Sequence, residues 1–169
     1  MERIPADSWH EHTGHIARYQ YAAAHVRPGE TVNDIACGTG YGATFLLRGP
    51  YRGYDRPGIP DPQFPGSFHA ADLDDPEWAP DPADVTVCFE TLEHVKGPAR
   101  LARTIADTTR RAIVVSVPVV PTRHLNAHHL HDFTAADIPP LFPGFTVADE
   151  WPQPEELSHV WLLERSGDA

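Results

Sequence analysis

The chain has 169 residues, a formal net charge of −11 at pH 7 and two cysteines. This length suits a single domain, residues 1–169, with a packed core. An acidic chain without a basic cluster argues against a nucleic-acid substrate, which needs phosphate-neutralising Lys and Arg, and against an anionic membrane surface. No signal peptide and no bilayer-spanning apolar run is visible, and so few cysteines suit a reducing compartment, so we expect a cytoplasmic protein.

The first predicted element is a helix between Ser8 and Val26, where apolar residues including Tyr19 recur near one face. A Pro-Gly turn follows it. We therefore divide the chain into an N-terminal helical segment, residues 1–29, and a core, residues 30–169.

A strand, a glycine-rich turn and a helix are predicted over Thr31–Leu47. The strand carries Asp34, and the turn contains Ala36, Gly38 and Gly40. Glycine tolerates φ > 0 and lets a ligand approach the backbone, so this pattern predicts a site for a nucleotide-like ligand. The spacing also fits the G-x-G-x-x-G/A motif of dinucleotide-binding folds, and a structural turn without a ligand is the third alternative.

Two further strands, Tyr51–Asp55 and Phe68–Leu73, each end at an acidic residue or just after one. Asp55 is followed by a segment with prolines at positions 57, 60, 62 and 65. Because proline disrupts helix interiors, we predict that the helix after strand 2 is shortened or lost. Asp72 and Leu73 close the third strand.

The most apolar strand is Asp84–Phe89, whose nearly continuous apolar run is typical of a central parallel strand buried on both faces. It leads into Glu90 and the residues up to 95. A helix, a β-branched strand at 112–118 and a terminal hairpin at 145–164 complete the predicted elements.

Several histidines follow the strand at 112–118, among them His128 and His129. Imidazoles suit zinc or iron, but no cysteine joins them and no helix with two histidines four apart is evident, so we expect no metal. A histidine with a pKa near ~6.5 can accept a proton at neutral pH. We select His128 and His129 as the first candidate general bases and His94 as the next candidate.

These motifs together resemble the class I S-adenosylmethionine (SAM) dependent methyltransferases. Asp34 and the glycines match the family's first motif, although Ala36 stands where the family usually has glycine. The resemblance implies that Asp55 binds both ribose hydroxyls of SAM. It also implies that Asp72 accepts the adenine amino group and that Leu73 donates its backbone N–H to the ring.

Two stretches resemble a small-molecule subgroup of that family: ETLEHV at 90–95 and NAHHLHDFT at 126–134. In that resemblance Glu90 lies beside the methionine part of SAM, and the histidine loop shapes the acceptor side of the pocket. The N-terminal helix resembles a segment that lies over the cofactor, with Tyr19 as either a lid residue or part of the core.

The resemblance implies a Rossmann-like α/β fold with helices on both faces. Its seven-stranded, mostly parallel sheet has the order 3-2-1-4-5-7-6, with strand 7 antiparallel. It also implies methyl transfer from SAM to an oxygen or nitrogen of a small molecule, such as a natural product or a sugar. The alternatives are a non-catalytic SAM-binding subunit and an enzyme that transfers another group of SAM.

Overall fold

The structure is a computed structural model that describes residues 4–58, 61 and 63–167. Its strands are β1 Val32–Ile35, β2 Tyr51–Asp55, β3 Ser67–Ala70, β4 Ala83–Phe89, β5 Thr109–Pro118, β6 Phe145–Gln153 and β7 Ser158–Arg165. Its α-helices are α1 Thr13–His25, α2 Ala43–Leu46 and α3 Pro98–Thr108. Short 3-10 turns occupy Trp9–Glu11, Leu92–His94, Ala135–Asp137, Pro139–Leu141 and Pro154–Glu156.

The seven strands form one sheet in the order β3-β2-β1-β4-β5-β7-β6. Neighbouring strands from β3 to β5 are parallel, and β7 is antiparallel to both β5 and β6. The predicted fold, including the antiparallel strand 7, is therefore confirmed. The order reverses between β1 and β4, which is where open α/β sheets bind ligands outside the carboxyl ends of the strands.

Apolar cores cover both faces of the sheet. Successive residues of β5 alternate between them: Ala112 and Val114 belong to one core, and Ile113 and Val115 to the other. The first core takes in α1 and α2, and the second takes in α3. Because strand side chains alternate between faces, the helices lie on both sides, as predicted.

The connection after β2 contains no helix among the described residues between β2 and β3, which agrees with the predicted loss. Pro57 and Pro65 lie in this part, whereas Pro60 and Pro62 lie outside the described residues. None of the described helices has the length and apolarity needed to cross a bilayer.

The third strand ends earlier than predicted, at Ala70 rather than Leu73. Asp72 instead begins a turn, since its carbonyl accepts from the Asp75 N–H at 3.1 Å and its Oδ1 accepts from the Asp74 N–H at 3.0 Å. An exposed edge strand gains little from continuing, because its side chains bury little apolar surface. The acid therefore lies in the loop beyond the strand.

Candidate functional site

A cavity of about 230 Å³ opens where the carboxyl ends of β1, β2 and β4 meet. Ala36 and Gly38 contribute the β1 side of its wall, Asp55 the β2 side and Glu90 the β4 side. A neighbouring cleft shares Ala36 and Asp55 with the cavity and extends to Asp72 and Leu73 beyond β3. The fold thus brings together most of the residues that the sequence predicts to bind SAM.

The turn after β1 is built from backbone with positive φ: 63° at Ala36, 60° at Gly38 and 92° at Gly40. At Gly40 a Cβ would lie 2.5 Å from the ring of Phe68, so a side chain there would clash as well as strain the backbone. At Gly38 a Cβ would meet no atom within 4 Å. The turn therefore leaves open space where a ligand can approach its backbone.

Asp55 lies where the cavity and the cleft join, and its side chain is held by the backbone. Its Oδ2 accepts from the Gly38 N–H at 2.8 Å, and its Oδ1 accepts from the Arg56 N–H at 2.7 Å. A carboxylate oxygen can accept more than one hydrogen bond. This geometry suits the predicted role of binding two vicinal hydroxyls.

Asp34 does not line the cavity. It is 1% exposed, and its Oδ2 accepts from the hydroxyls of Tyr51 at 2.6 Å and Tyr19 at 3.0 Å. Tyr19 in turn lines the cavity. Asp34 therefore positions the tyrosine that contacts the ligand space, and Tyr19 is both a core residue and a wall of the cavity.

Burial raises the pKa of Asp34 to about 7, although the tyrosine hydrogen bonds act in the opposite direction. At a pH between the unfolded-state pKa and the higher folded-state pKa, the folded protein keeps a proton on this carboxyl that the unfolded chain has lost. This group's contribution to the free energy of unfolding therefore falls as the pH rises from about 4 to about 7.

We predict that Asp34→Asn flattens this pH dependence, because the amide stays neutral and can still accept from both tyrosines. Urea unfolding of the variant and the wild type between pH 4 and 8 measures it. The stability of wild type relative to the variant should decline across that window. A difference that stays constant with pH would mean that Asp34 ionises normally in the folded protein.

Glu90 has a left-handed backbone conformation, with φ at 47°. Its carboxylate accepts hydrogen bonds from side chains of β5 and β7. Its Oε1 accepts from the Ser116 hydroxyl at 2.7 Å, and its Oε2 accepts from the Ser158 hydroxyl at 2.9 Å. Strained backbone of this kind persists where surrounding contacts determine it, often at functional sites.

Helix α1 contributes His15 and Tyr19 to the wall of the cavity. Arg18, 1% exposed, fastens the helix to the sheet by donating from Nε to Gln153 Oε1 at 2.7 Å. Neither His15 nor Arg18 is among the site residues predicted from the sequence. His15 lies three residues before Arg18 and four before Tyr19, which makes it a neighbour of each on the helix surface.

The structure separates the three candidate bases. His94 and His129 line the cavity, with ring centroids 4.6 Å apart, and His94 also lines the neighbouring cleft. The exposed His128 lines the cleft and not the cavity. Burial lowers the pKa of His94 to about 4 and also lowers the pKa of His129. Both cavity imidazoles are therefore neutral at pH 7 and can accept a proton or a metal ion.

Glu93 also lines the cavity, and our sequence analysis did not select it. Its side chain is 1% exposed, and neither carboxylate oxygen accepts a hydrogen bond from another described residue. Burial, followed by the nearby charge of Glu90, raises its pKa. Its place in the ETLEHV stretch, three residues after Glu90, was the available signal.

No protein-family model and no curated protein matches this chain. Solved methyltransferase structures do resemble it. Magnesium protoporphyrin IX methyltransferase of Synechocystis PCC 6803, crystallised with SAM, superposes with a TM-score of 0.70 at 18% identity, covering 98% of this chain and 86% of that one.

Two further structures are similar. The 1,6-didemethyltoxoflavin-N1-methyltransferase of Burkholderia thailandensis, with S-adenosylhomocysteine, gives a TM-score of 0.71 at 18% identity and covers 95% of this chain and 85% of that one. Mitomycin 7-O-methyltransferase gives 0.67 at 17% identity and covers 89% of this chain and 54% of that one. The chain therefore has the Rossmann-like fold of these SAM-dependent methyltransferases.

Proposed function

We propose that this protein is a methyltransferase that uses SAM to methylate an oxygen or nitrogen of a small molecule. The observation that carries the proposal is the position of Asp55. Its backbone-held carboxylate lies where the cavity and the cleft join. An elongated ligand with a diol at its middle fits that arrangement, and a ribose between an adenine and an amino-acid arm is such a ligand.

The cofactor follows the sheet order in this proposal. Asp72 and Leu73, beyond β3, bind the adenine; Asp55, at the end of β2, binds the ribose. The turn after β1, with Ala36 and Gly38, faces the methionine arm. Bound SAM supplies an activated methyl group, so the protein's work is to bind, orient and exclude water.

The acceptor then lies beyond β1, on the β4 side. There the cavity wall continues from Glu90, beside the methionine arm, to Glu93 and His94, with His129 from the loop after β5. Neutral imidazoles here can take a proton from an acceptor hydroxyl or amine. His94 and His129 are better placed for this than His128, because both line the cavity whereas His128 lines only the neighbouring cleft, which His94 also reaches.

Helix α1 acts as the lid of the site. Its residues His15 and Tyr19 contribute to the cavity wall, and Asp34 holds Tyr19 in place from below. A lid over the reacting groups would exclude water from them. The small acceptor space and the acidic chain favour a small-molecule acceptor over a nucleic acid.

Incubation with SAM and a panel of hydroxylated and amino-bearing small molecules tests the proposal. We expect a methylated product together with an equal amount of S-adenosylhomocysteine. Methylthioadenosine would instead indicate transfer of the aminocarboxypropyl arm. Tight SAM binding without any turnover across the panel would favour a non-catalytic SAM-binding subunit.

A further inference from the structure

We propose that Glu93, His94 and His129 form a binding site for a divalent first-row transition-metal ion at the acceptor side of the cavity. Each residue offers one ligand atom, and these atoms lie within 4.8 Å of one another. Two imidazoles and one carboxylate are a donor set that suits zinc or non-haem iron(II) and leaves coordination positions open.

The first argument is the isolation of the Glu93 carboxylate. It is 1% exposed, and neither oxygen accepts a hydrogen bond from another described residue. The Nε2 of His94 lies 3.8 Å from Oε1, beyond hydrogen-bond distance. Because burying an unpaired carboxylate is costly, such groups in proteins are normally paired or bound to a metal.

The second argument is the orientation of the histidines. The Nδ1 of His94 lies 3.0 Å from the His128 carbonyl, which can only accept, so Nδ1 carries the proton and Nε2 presents a lone pair. The Nδ1 of His129 lies 2.7 Å from Thr122 Oγ1 and shares a hydrogen bond with it. Metal-binding histidines are typically fixed in this way, by a hydrogen bond at the other ring nitrogen.

The two carboxylates near the site differ in their contacts. Glu90 accepts from the hydroxyls of Ser116 and Ser158 and forms an ion pair with Arg18, whose Nη1 lies 3.8 Å from Oε1. Neither oxygen of Glu93 accepts a hydrogen bond from another described residue. A divalent cation would supply a direct partner to Glu93.

This site differs from the one that our sequence analysis considered. From the sequence alone we expect no metal at the histidines of the loop after β5. In the structure one histidine of that loop, His129, lies beside Glu93 and His94, which follow β4. The Leu130 N–H donates to the Glu93 carbonyl at 2.7 Å and so holds the loop against this segment. His124 is exposed and stays outside the trio.

The next step rests on the proposed function. If the protein is a methyltransferase, the open coordination positions of the ion would bind the hydroxyl group of the acceptor. With both imidazoles bound to the ion, neither could take the proton, and the cation would instead make that O–H proton easier to release to solvent. The acceptor oxygen then forms the new C–O bond with the methyl carbon, and the C–S bond breaks with its electron pair left on sulfur. The acceptor class is therefore an oxygen nucleophile.

The test is a Co²⁺ titration of the tag-free, chelator-treated full chain, followed by visible absorption. We expect one equivalent to bind and to give d–d bands typical of nitrogen and oxygen ligands. Glu93→Gln and His129→Ala should each weaken binding by at least about tenfold, whereas His124→Ala should not. Zn²⁺ in excess should abolish the bands.

Thermal unfolding supplies a second readout, because a ligand that binds the folded state raises Tm. Co²⁺ should raise the Tm of the wild type and not that of Glu93→Gln. Metal-free Glu93→Gln should unfold no lower than metal-free wild type, since a buried unpaired carboxylate has been neutralised. This comparison also shows that the variant folds.

Absence of stoichiometric Co²⁺ binding, or equal binding by wild type, Glu93→Gln and His129→Ala, would overturn the site. Calorimetric titration of S-adenosylhomocysteine into the same metal-free samples separates the two proposals. Cofactor binding without metal binding overturns only the metal site, and metal binding without cofactor binding overturns only the proposed function.

Discussion

Replacing His129 by alanine is expected to lower methyl-transfer turnover by about a hundredfold or more, within the range that acid–base groups contribute. The side chain lines the cavity beside His94, on the acceptor side of the proposed cofactor position. Its loss removes a proton acceptor or a metal ligand, and either change acts on the acceptor. Affinity for S-adenosylhomocysteine should change by less than about twofold, because the effect is confined to the chemical step.

Steady-state turnover with any acceptor from the panel, combined with calorimetry, measures both quantities. His124→Ala is the matched control, since it removes an exposed imidazole of the same loop. Full turnover in His129→Ala would exclude this histidine from the chemistry. A parallel loss of turnover and cofactor affinity would place it at the cofactor instead.

Asp55→Ala is expected to weaken SAM binding about ten- to a hundredfold, which corresponds to roughly 1.5–3 kcal/mol for two charge-assisted hydrogen bonds. Part of the loss will be indirect, because Asp55 also accepts from the Gly38 N–H and steadies the glycine turn. Asp55→Asn keeps the shape and one acceptor oxygen, so its affinity should be intermediate.

Calorimetric titration of SAM into the three proteins gives the comparison, and thermal unfolding checks that each variant folds. Asp75→Asn is the charge-matched control, because Asp75 is an exposed acid in the loop beyond β3. Equal affinities in the wild type and Asp55→Ala would remove Asp55 from the site. A comparable loss of SAM affinity in Asp75→Asn would mean that the change in net charge, and not a direct contact of Asp55, causes the effect.

The sheet was predictable because its signals are local. The apolar run of β4 indicated a central strand, the glycines after Asp34 indicated a turn with positive φ, and the prolines after Asp55 excluded a helix. Each feature acts over a few residues, so composition and spacing were sufficient. The strand order itself came from the family resemblance, and the structure has the same order.

The interior of the site was less predictable, because it depends on contacts between distant segments. Asp34 matched a family motif, yet Tyr19 from α1 covers it and leaves the acid below the cavity wall. His128 and His129 are adjacent in sequence, but only His129 lines the cavity. The burial of Glu93 likewise depends on the packing around it.

Whether SAM occupies this cavity is tested most directly by calorimetric titration of the wild-type protein with SAM, S-adenosylhomocysteine and NAD in parallel. We predict 1:1 binding of SAM and of S-adenosylhomocysteine, each with a raised Tm, and no binding of NAD. Saturable binding of NAD with none of SAM would contradict the proposal and return the glycine turn to a dinucleotide site.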